Sequence, residues 1–156
     1  WLAQWGRKIV LHLVGAAPPE LESDLRARAR ITDIAGFEIT GFVDEQTFRD
    51  YLLAIDAGVQ LRISPLMGVS GPLSDLAAFG TPAVASEGLC RDVRAPSYMT
   101  PVPEMASPVQ IAEALEKCID NPTDSAALEA QRQAYLAAMS PAAYAQQLLD
   151  VVRGER

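Results

Sequence analysis

Short apolar runs alternate with amphipathic segments over about the first hundred residues, and this alternation constrains the fold more than any other feature. Runs of strand length lie at residues 8–14, 37–43, 57–62, 82–86 and 97–102. The segments between them carry apolar residues at helical spacing. Strands that alternate with helices over short connections form parallel sheets with right-handed crossovers. The sequence therefore predicts an α/β fold in which helices cover both faces of a parallel sheet.

The first run, residues 8–14, lies between Gly6 and Gly15 and is almost continuously apolar. Such a run is typical of a strand that is buried on both faces. His12 lies inside it, so we expect a hydrogen-bonded core histidine rather than a catalytic base.

The pattern becomes wholly helical after about residue 102. Helix starts are predicted at Ser107, Asp124 and Ser140, each followed by apolar residues at helical spacing. Proline after two of these residues is compatible with a first helical position. The last helix is predicted to turn four residues inward: Tyr144, Leu148, Leu149 and Val152.

Composition excludes several classes of function. The chain has 156 residues, which is the length of one domain, and carries a net charge of −7 from 13 basic and 20 acidic residues. This balance argues against nucleic acid as the partner, because phosphate neutralisation needs a basic surface. The single histidine, His12, excludes a site built on two histidines. Cys90 and Cys118 lie too far apart for a Cys-x-x-Cys pair, and two thiols in a reduced compartment are favoured over a disulfide.

Targeting signals are not visible in the sequence. No apolar run has the length of a membrane span, and residues 1–5 lack the features of a signal peptide. We therefore expect a cytoplasmic protein. Residues 1–5 resemble the last turn of a helix that ends at Gly6, and the chain begins without methionine. These two features predict a fragment whose upstream part is missing.

The segment from Met67 to Asp75 is the most informative for chemistry. It follows a predicted strand, carries Gly68 and Gly71, and leads into a short helix. Backbone N–H groups at such a helix start can bind an anion such as a diphosphate. On the glycines alone, a simple tight turn is the favoured alternative. Asp75 could accept from paired sugar hydroxyls, or it could merely complement the positive end of the helix.

The run from Asp75 to Ser86 resembles the nucleotide-sugar half of the large family four of retaining glycosyltransferases, whose typical sequence is Glu-Ala-Met-Ala-x-Gly-x-Pro-Val-Val-Ala. Asp75 falls on the glutamate, and Gly80 and Pro82 fall on the family's glycine and proline. The similarity in motif order covers roughly residues 8–122. Further matches are Gly15 on a "V-G-x-G" turn, Gly41 and Val43 with Tyr51 and Asp56 on a "G-x-V…Y-x-x-A-D" stretch, and Asn121-Pro122 on a "D-P" pair.

The resemblance implies a Rossmann-like domain, one half of a GT-B fold, that binds a nucleotide-diphosphate sugar as substrate without a metal or cofactor. It places the diphosphate at the backbone of residues 68–71, the ribose at Asp75 and the base beside residues 41–43. Arg62 would replace the family's missing diphosphate-gripping arginine and lysine, although a surface arginine paired with an acid is an equal alternative. The implied binding residues are Gly15, Gly41, Phe42, Val43, Arg62, Gly68, Val69, Ser70, Gly71, Asp75 and Glu87.

The same resemblance implies partners that the chain lacks. The acceptor would bind a missing N-terminal domain, and peripheral membrane contact would also run through that domain. The last helices would brace it in the whole enzyme. Polysaccharide biosynthesis is the expected setting, while the sugar, base and acceptor remain unspecified.

A departure from the family pattern bears on activity. Met67 falls where the family has a glutamate that contacts the transferred sugar, and no catalytic residue is assigned in its place. The competing hypothesis is therefore a degenerate, non-catalytic domain used for interaction or scaffolding. A small enzyme acting on another nucleotide is less favoured, because no Gly-x-Gly-x-x-Gly follows the first strand.

Overall fold

A computed structural model describes residues 2, 6–32, 34–63 and 68–154. The chain divides into two compact units, Trp1–Ala54 and Ile55–Arg156. The strands are β1 (Val10–Leu13), β2 (Gly36–Ile39), β3 (Gly58–Gln60), β4 (Ala83–Ser86) and β5 (Met99–Val102). The helices are α1 (Pro19–Ile31), α2 (Glu45–Ala54), α3 (Gly71–Phe79), α4 (Glu87–Asp92), α5 (Pro108–Asp120), α6 (Ser125–Ala138) and α7 (Pro141–Arg153). The helix end predicted within residues 1–5 falls largely outside the described residues.

The first unit is built on a two-stranded parallel sheet, in which β1 pairs with β2. The expected burial of the first strand on both faces is wrong, because Val10 is 57% and Leu11 40% exposed. A sheet of only two strands consists entirely of edge strands and offers little apolar surface against which to pack. His12 is hydrogen-bonded as expected, its Nδ1 lying 2.9 Å from Glu38 Oε2, but it is half-buried rather than part of a core.

The second strand ends four residues earlier than the sequence predicts. The Thr40 hydroxyl accepts a hydrogen bond from the backbone N–H of Gly15 at 3.2 Å and donates one to the Gly41 carbonyl at 2.8 Å. Gly41 has φ of +69°, in the left-handed region that glycine adopts without strain. The chain therefore turns at Gly41 instead of continuing as a strand to Val43.

The second unit contains a three-stranded parallel sheet in the order β3-β4-β5. Its central strand, β4, is buried along its whole length, as expected of a parallel strand flanked on both sides. Val84, Val102 and Ala114 form a buried cluster that joins this sheet to α5. From α3, Leu73, Leu76 and Ala77 are also buried. The predicted third strand shortens to Gly58–Gln60.

The predicted helix starts are confirmed. Ser107 forms a full capping box with Gln110, and Asp124 and Ser140 cap α6 and α7. The predicted inward face of α7 is wrong: Tyr144, Leu148, Leu149 and Val152 are all exposed. The half-buried positions of α7 instead include Ala143, Gln147 and Asp150.

The α/β class with parallel strands is confirmed, and the strands form two small sheets flanked by helices. The expectation of a single nucleotide-sugar domain over the whole chain stays a prediction.

Candidate functional site

The loop between β3 and α3 carries four of the predicted binding residues, Arg62, Gly68, Val69 and Ser70, and α3 itself carries Gly71 and Asp75. Residues 64–67, including Met67, lie outside the described residues. Gly68 has φ of +70°, so this position requires glycine for conformational reasons. Val69 is largely exposed. The loop enters α3 at the carboxyl end of β3, which is the edge where parallel sheets bind ligands.

Ser70 holds the start of α3. Its side-chain oxygen accepts a hydrogen bond from the N–H of Leu73 at 3.3 Å, and its carbonyl accepts one from the N–H of Ser74 at 3.0 Å. The side chain is buried and serves as the N-cap of the helix. Any contact between Ser70 and a ligand would therefore be made by the Ser70 backbone.

Gly71 is the backbone position left open at this helix start. Pro72 has no N–H, and the next two N–H groups bond to Ser70. Within the described part of the chain, no acceptor is found for the Gly71 N–H. A Cβ at Gly71 would meet no atom within 4 Å, and its φ lies outside the left-handed region. The fold itself therefore does not demand glycine here, and the backbone is accessible to a ligand.

Arg62 is fixed at both its backbone and its side chain. Its N–H donates to Ser86 Oγ at 2.8 Å, and that hydroxyl donates back to the Arg62 carbonyl at 3.1 Å. Its guanidinium Nη1 donates to the Gly68 carbonyl at 2.7 Å. The structure thus brings two predicted residues, Arg62 and Gly68, together at the carboxyl ends of β3 and β4. Ser86, which fixes them, is a site residue that the sequence analysis missed.

Glu104 is a second residue that the sequence analysis missed. Its carboxylate Oε1 accepts from the N–H of Gly88 at 2.8 Å, at the start of α4. A Cβ on Gly88 would lie 2.9 Å from that oxygen, so glycine permits the approach. The carboxylate occupies the positive end of α4 with the chain's own negative charge. Glu87, the first residue of α4, is exposed beside it.

These groups surround a small depression of about 10 Å³, the space of one water molecule. The depression alone is too small for a sugar nucleotide. A larger ligand would extend from the depression along residues 68–71. The residues that line the depression are Arg62, Gly68, Ser86, Gly88, Leu89, Asp92 and Glu104.

Asp75 lies in the second turn of α3 and is half-buried. Burial raises the pKa of its carboxyl group. Burial also raises the pKa of Tyr135 on α6, and the charge of Asp75 adds to this shift while a hydrogen bond with Ser74 opposes it. Asp75 is therefore a carboxylate held in a partly desolvated position, within electrostatic reach of a buried tyrosine.

The remaining predicted residues lie in the first unit, at the carboxyl ends of β1 and β2. Gly15 and Gly41 form an isolated bridge, and both have positive φ, +136° and +69°. Phe42 is 93% exposed and Val43 half-buried. A solvent-exposed phenylalanine ring offers a face for stacking against a planar group.

Thiol and metal chemistry gain no support in the described residues. Burial raises the pKa of both Cys90 and Cys118, and Glu87 adds to the shift at Cys90. A raised pKa disfavours the thiolate, which is the reactive form. Across residues 6–32, 34–63 and 68–154, no group of three histidine, cysteine, aspartate or glutamate side chains is placed to hold a metal ion.

Comparisons with models of protein families, with curated proteins and with solved structures found no match for this chain. The resemblance to family four glycosyltransferases therefore rests on the sequence motifs. Of the helices that the structure describes, none combines the length and the apolar character that crossing a membrane requires.

Proposed function

We propose that this chain is the donor-binding half of a glycosyltransferase and binds a nucleotide-diphosphate sugar. The observation that carries the proposal is the open start of α3, where, among the described residues, the Gly71 N–H has no acceptor and no atom lies within 4 Å of the place a Cβ would take. It lies at the carboxyl edge of a parallel sheet, next to an arginine.

The diphosphate would lie along the loop backbone. Gly71 would donate its N–H, and the positive end of α3 would attract the negative charge. The Arg62 guanidinium is anchored next to the loop by the bond from its Nη1 to the Gly68 carbonyl, which places a positive charge beside the proposed diphosphate position. Together these groups would stabilise the diphosphate as it leaves the sugar.

Asp75 would hold the nucleoside through the ribose hydroxyls. Its partial desolvation supports this assignment, because a hydrogen bond to a poorly hydrated carboxylate is worth more than one in water. The complete enzyme would transfer the sugar to an acceptor held by another domain, with the cytoplasm as the expected compartment.

A non-catalytic role in protein interaction is the second candidate, and two observations favour it. Pro72 removes one donor from the helix start, and Glu104 already occupies the positive end of α4. Both reduce the number of groups available to a diphosphate.

Calorimetric titration with the common nucleoside diphosphates distinguishes the two candidates. Binding of at least one of them in the micromolar to millimolar range supports the donor-binding role. No heat with any of them at millimolar concentration would favour the interaction domain.

Variants then assign the binding mode. Gly71→Ala should weaken a nucleoside diphosphate and inorganic pyrophosphate alike, by about tenfold, because its methyl group would cover the donor. Asp75→Asn should weaken the nucleoside diphosphate alone. Glu113→Gln is the matched control, since it removes one negative charge from an exposed position on α5. Equal losses for Asp75→Asn and Glu113→Gln would refute the ribose contact.

The chain alone should not transfer sugar. Positioning of two reactants supplies about 7–11 kcal/mol of a barrier, and the acceptor is assigned to a domain outside this chain. A coupled assay for nucleoside diphosphate release, with and without mixed acceptors, tests this. Acceptor-dependent turnover by these 156 residues would refute the assignment to half of a two-domain enzyme.

A further inference from the structure

A groove in the first unit, between the carboxyl half of α1 and β2, has a volume of about 210 Å³. It lies within that one unit and includes none of the residues assigned to the nucleotide site. Its lining combines two guanidinium groups with an aromatic and an aliphatic side chain. The lining residues are Arg26, Ala29, Arg30, Ile34 and Phe37.

The charges on α1 are distributed unevenly around this groove. Arg28 pairs with Asp24 at 2.8 Å, and Arg26 pairs with Glu22 at 2.7 Å, each four residues earlier. The residue four positions before Arg30 is Arg26 instead of an acid. Over residues 6–32, 34–63 and 68–154, no ionic partner of Arg30 is found. The two arginines, Arg26 and Arg30, repel each other slightly at this spacing. Because Glu22 balances Arg26 alone, the described residues leave a local excess of positive charge at the groove.

Donors remain available on both arginines. The Glu22 oxygen takes one bond from Nε and one from Nη2 of Arg26, which holds that guanidinium in place and leaves three of its five N–H groups. Arg30 is exposed at the groove and can swing its planar group over a ligand.

The other side of the groove is apolar. Ala29, Ile34 and Phe37 are each half-buried, so they present partly accessible carbon surface beside the two guanidinium groups. Placing a methylene or ring carbon against such a surface removes apolar area from water and is therefore favourable.

We propose that this groove binds a small organic anion with an apolar body, of the class of aryl or short-chain alkyl carboxylates. The carboxylate would accept from Arg30 and from the remaining donors of Arg26, and the hydrocarbon part would lie against Phe37 and Ile34. The volume is below the range of drug-sized sites, so the ligand is the size of a single substituted ring. Because arginine forms bidentate bonds with planar carboxylates, this class fits better than a spherical inorganic anion.

Titration with phenylacetate, followed by backbone amide NMR shifts of the full chain, tests the proposal. Shift changes should concentrate on the carboxyl half of α1 and on β2. Phenylacetamide has the same shape without the charge, and sulfate has the charge without the ring; both should bind at least about tenfold more weakly. Equal affinity for phenylacetamide or for sulfate would overturn the assigned class. No saturable shift with phenylacetate at millimolar concentration would overturn the site.

A matched pair of variants isolates the contribution of the groove. Arg30→Gln should weaken phenylacetate by about tenfold. Arg28→Gln removes the same charge from the same helix but from a residue outside the groove, and should leave the affinity within about twofold, as expected for a screened surface charge. Equal weakening in the two variants would show a general charge effect and refute the site. Far-UV circular dichroism checks that both variants keep their helices.

Discussion

The two units differ in how they bury apolar residues. Among the described residues of the second unit, fourteen hydrophobic residues are buried, and β4 is enclosed along its full length. Among the described residues of the first unit, Leu52 is the only buried hydrophobic residue, and α1 buries none. Both units have parallel strands and helices of similar length. Parallel pairing alone therefore does not produce a core.

What separates the units is the number of strands. A third strand gives the second unit a central strand, β4, whose two neighbours and covering helices enclose it. Two strands provide no such position. The predicted nucleotide contacts divide in the same way: the diphosphate and ribose residues lie in the well-packed unit, and the base contacts lie in the open one.

The largest effect should come from deleting a buried side chain in the second unit. Leu73 is fully buried on α3, so Leu73→Ala should lower the free energy of unfolding by about 2–5 kcal/mol. Leu21→Ala, on the exposed side of α1, should cost less than about 1 kcal/mol. Urea denaturation combined with residue-level hydrogen exchange measures each unit separately. Equal losses in the free energy of unfolding for the two variants would show that the difference in burial does not affect stability.

This contrast also marks how far the sequence predicts the fold. The approximate strand positions and the helix starts at Ser107, Asp124 and Ser140 depend on local chemistry and are confirmed, although the strands are shorter than predicted. Burial depends on how many neighbours an element has, which a local pattern does not contain. The apolar run at residues 8–14 and the apolar stripe of α7 were therefore expected to be buried and are not.

The candidate site follows the same rule. The glycines at 68 and 71 and the start of a helix can be read from adjacent residues. The contact of Glu104 with Gly88, 16 residues away, and the clamp between Ser86 and Arg62, 24 residues away, depend on neighbouring strand ends meeting at one edge. No local motif signals either contact.

A smaller effect is expected from the buried hydroxyl of the second unit. Tyr98 donates to the Ala77 carbonyl. Tyr98→Phe removes this bond, while the Gly80 N–H still donates to the same carbonyl at 3.3 Å, so the loss should be about 0.5–1.5 kcal/mol at neutral pH. Thermal denaturation of this variant, with the exposed Tyr144→Phe as control, measures the loss. A loss no greater than that of the control would contradict the buried bond.

The same tyrosine predicts a response to alkaline pH. Burial, with smaller contributions from neighbouring charges, raises the pKa of Tyr98 from 10.0 to about 12. The unfolded chain releases this proton first, so stability is fully present below pH 10 and is lost as pH rises toward 12. Tyr98→Phe should flatten that part of the profile. An unchanged alkaline profile in the variant would assign the loss to other groups.

In the open unit, a comparable polar contact should contribute less. His12 and Glu38 are opposite each other in the β1–β2 register and pair at 2.9 Å, with side chains 32% and 53% exposed. A double-mutant cycle of His12→Ala and Glu38→Ala should give a coupling energy of about 0.2–1 kcal/mol. Tyr51→Phe serves as a further control, because its hydroxyl donates to the same carboxylate at 3.3 Å. A coupling energy larger than the stability lost in Tyr98→Phe would show that the polar contact in the first unit contributes more than the one in the second unit.

The smallest effect should come from Asp75, and its sign is opposite to the others. Burial raises its pKa from 3.8, so the folded state holds the proton more tightly than the unfolded state does. Stability therefore falls as pH rises through and above 3.8, and the charged carboxylate at neutral pH is slightly destabilising.

Asp75→Asn should raise the free energy of unfolding at pH 7 by only a few tenths of a kcal/mol, on the order of a solvent-screened charge. Below pH 3.8 the gain should disappear. Urea denaturation at both pH values, with Glu113→Gln as the control, measures it. A variant that is more stable yet binds nucleoside diphosphate less well would indicate that the packed unit retains this carboxylate for binding, whereas a loss of stability at pH 7 would assign Asp75 to the fold.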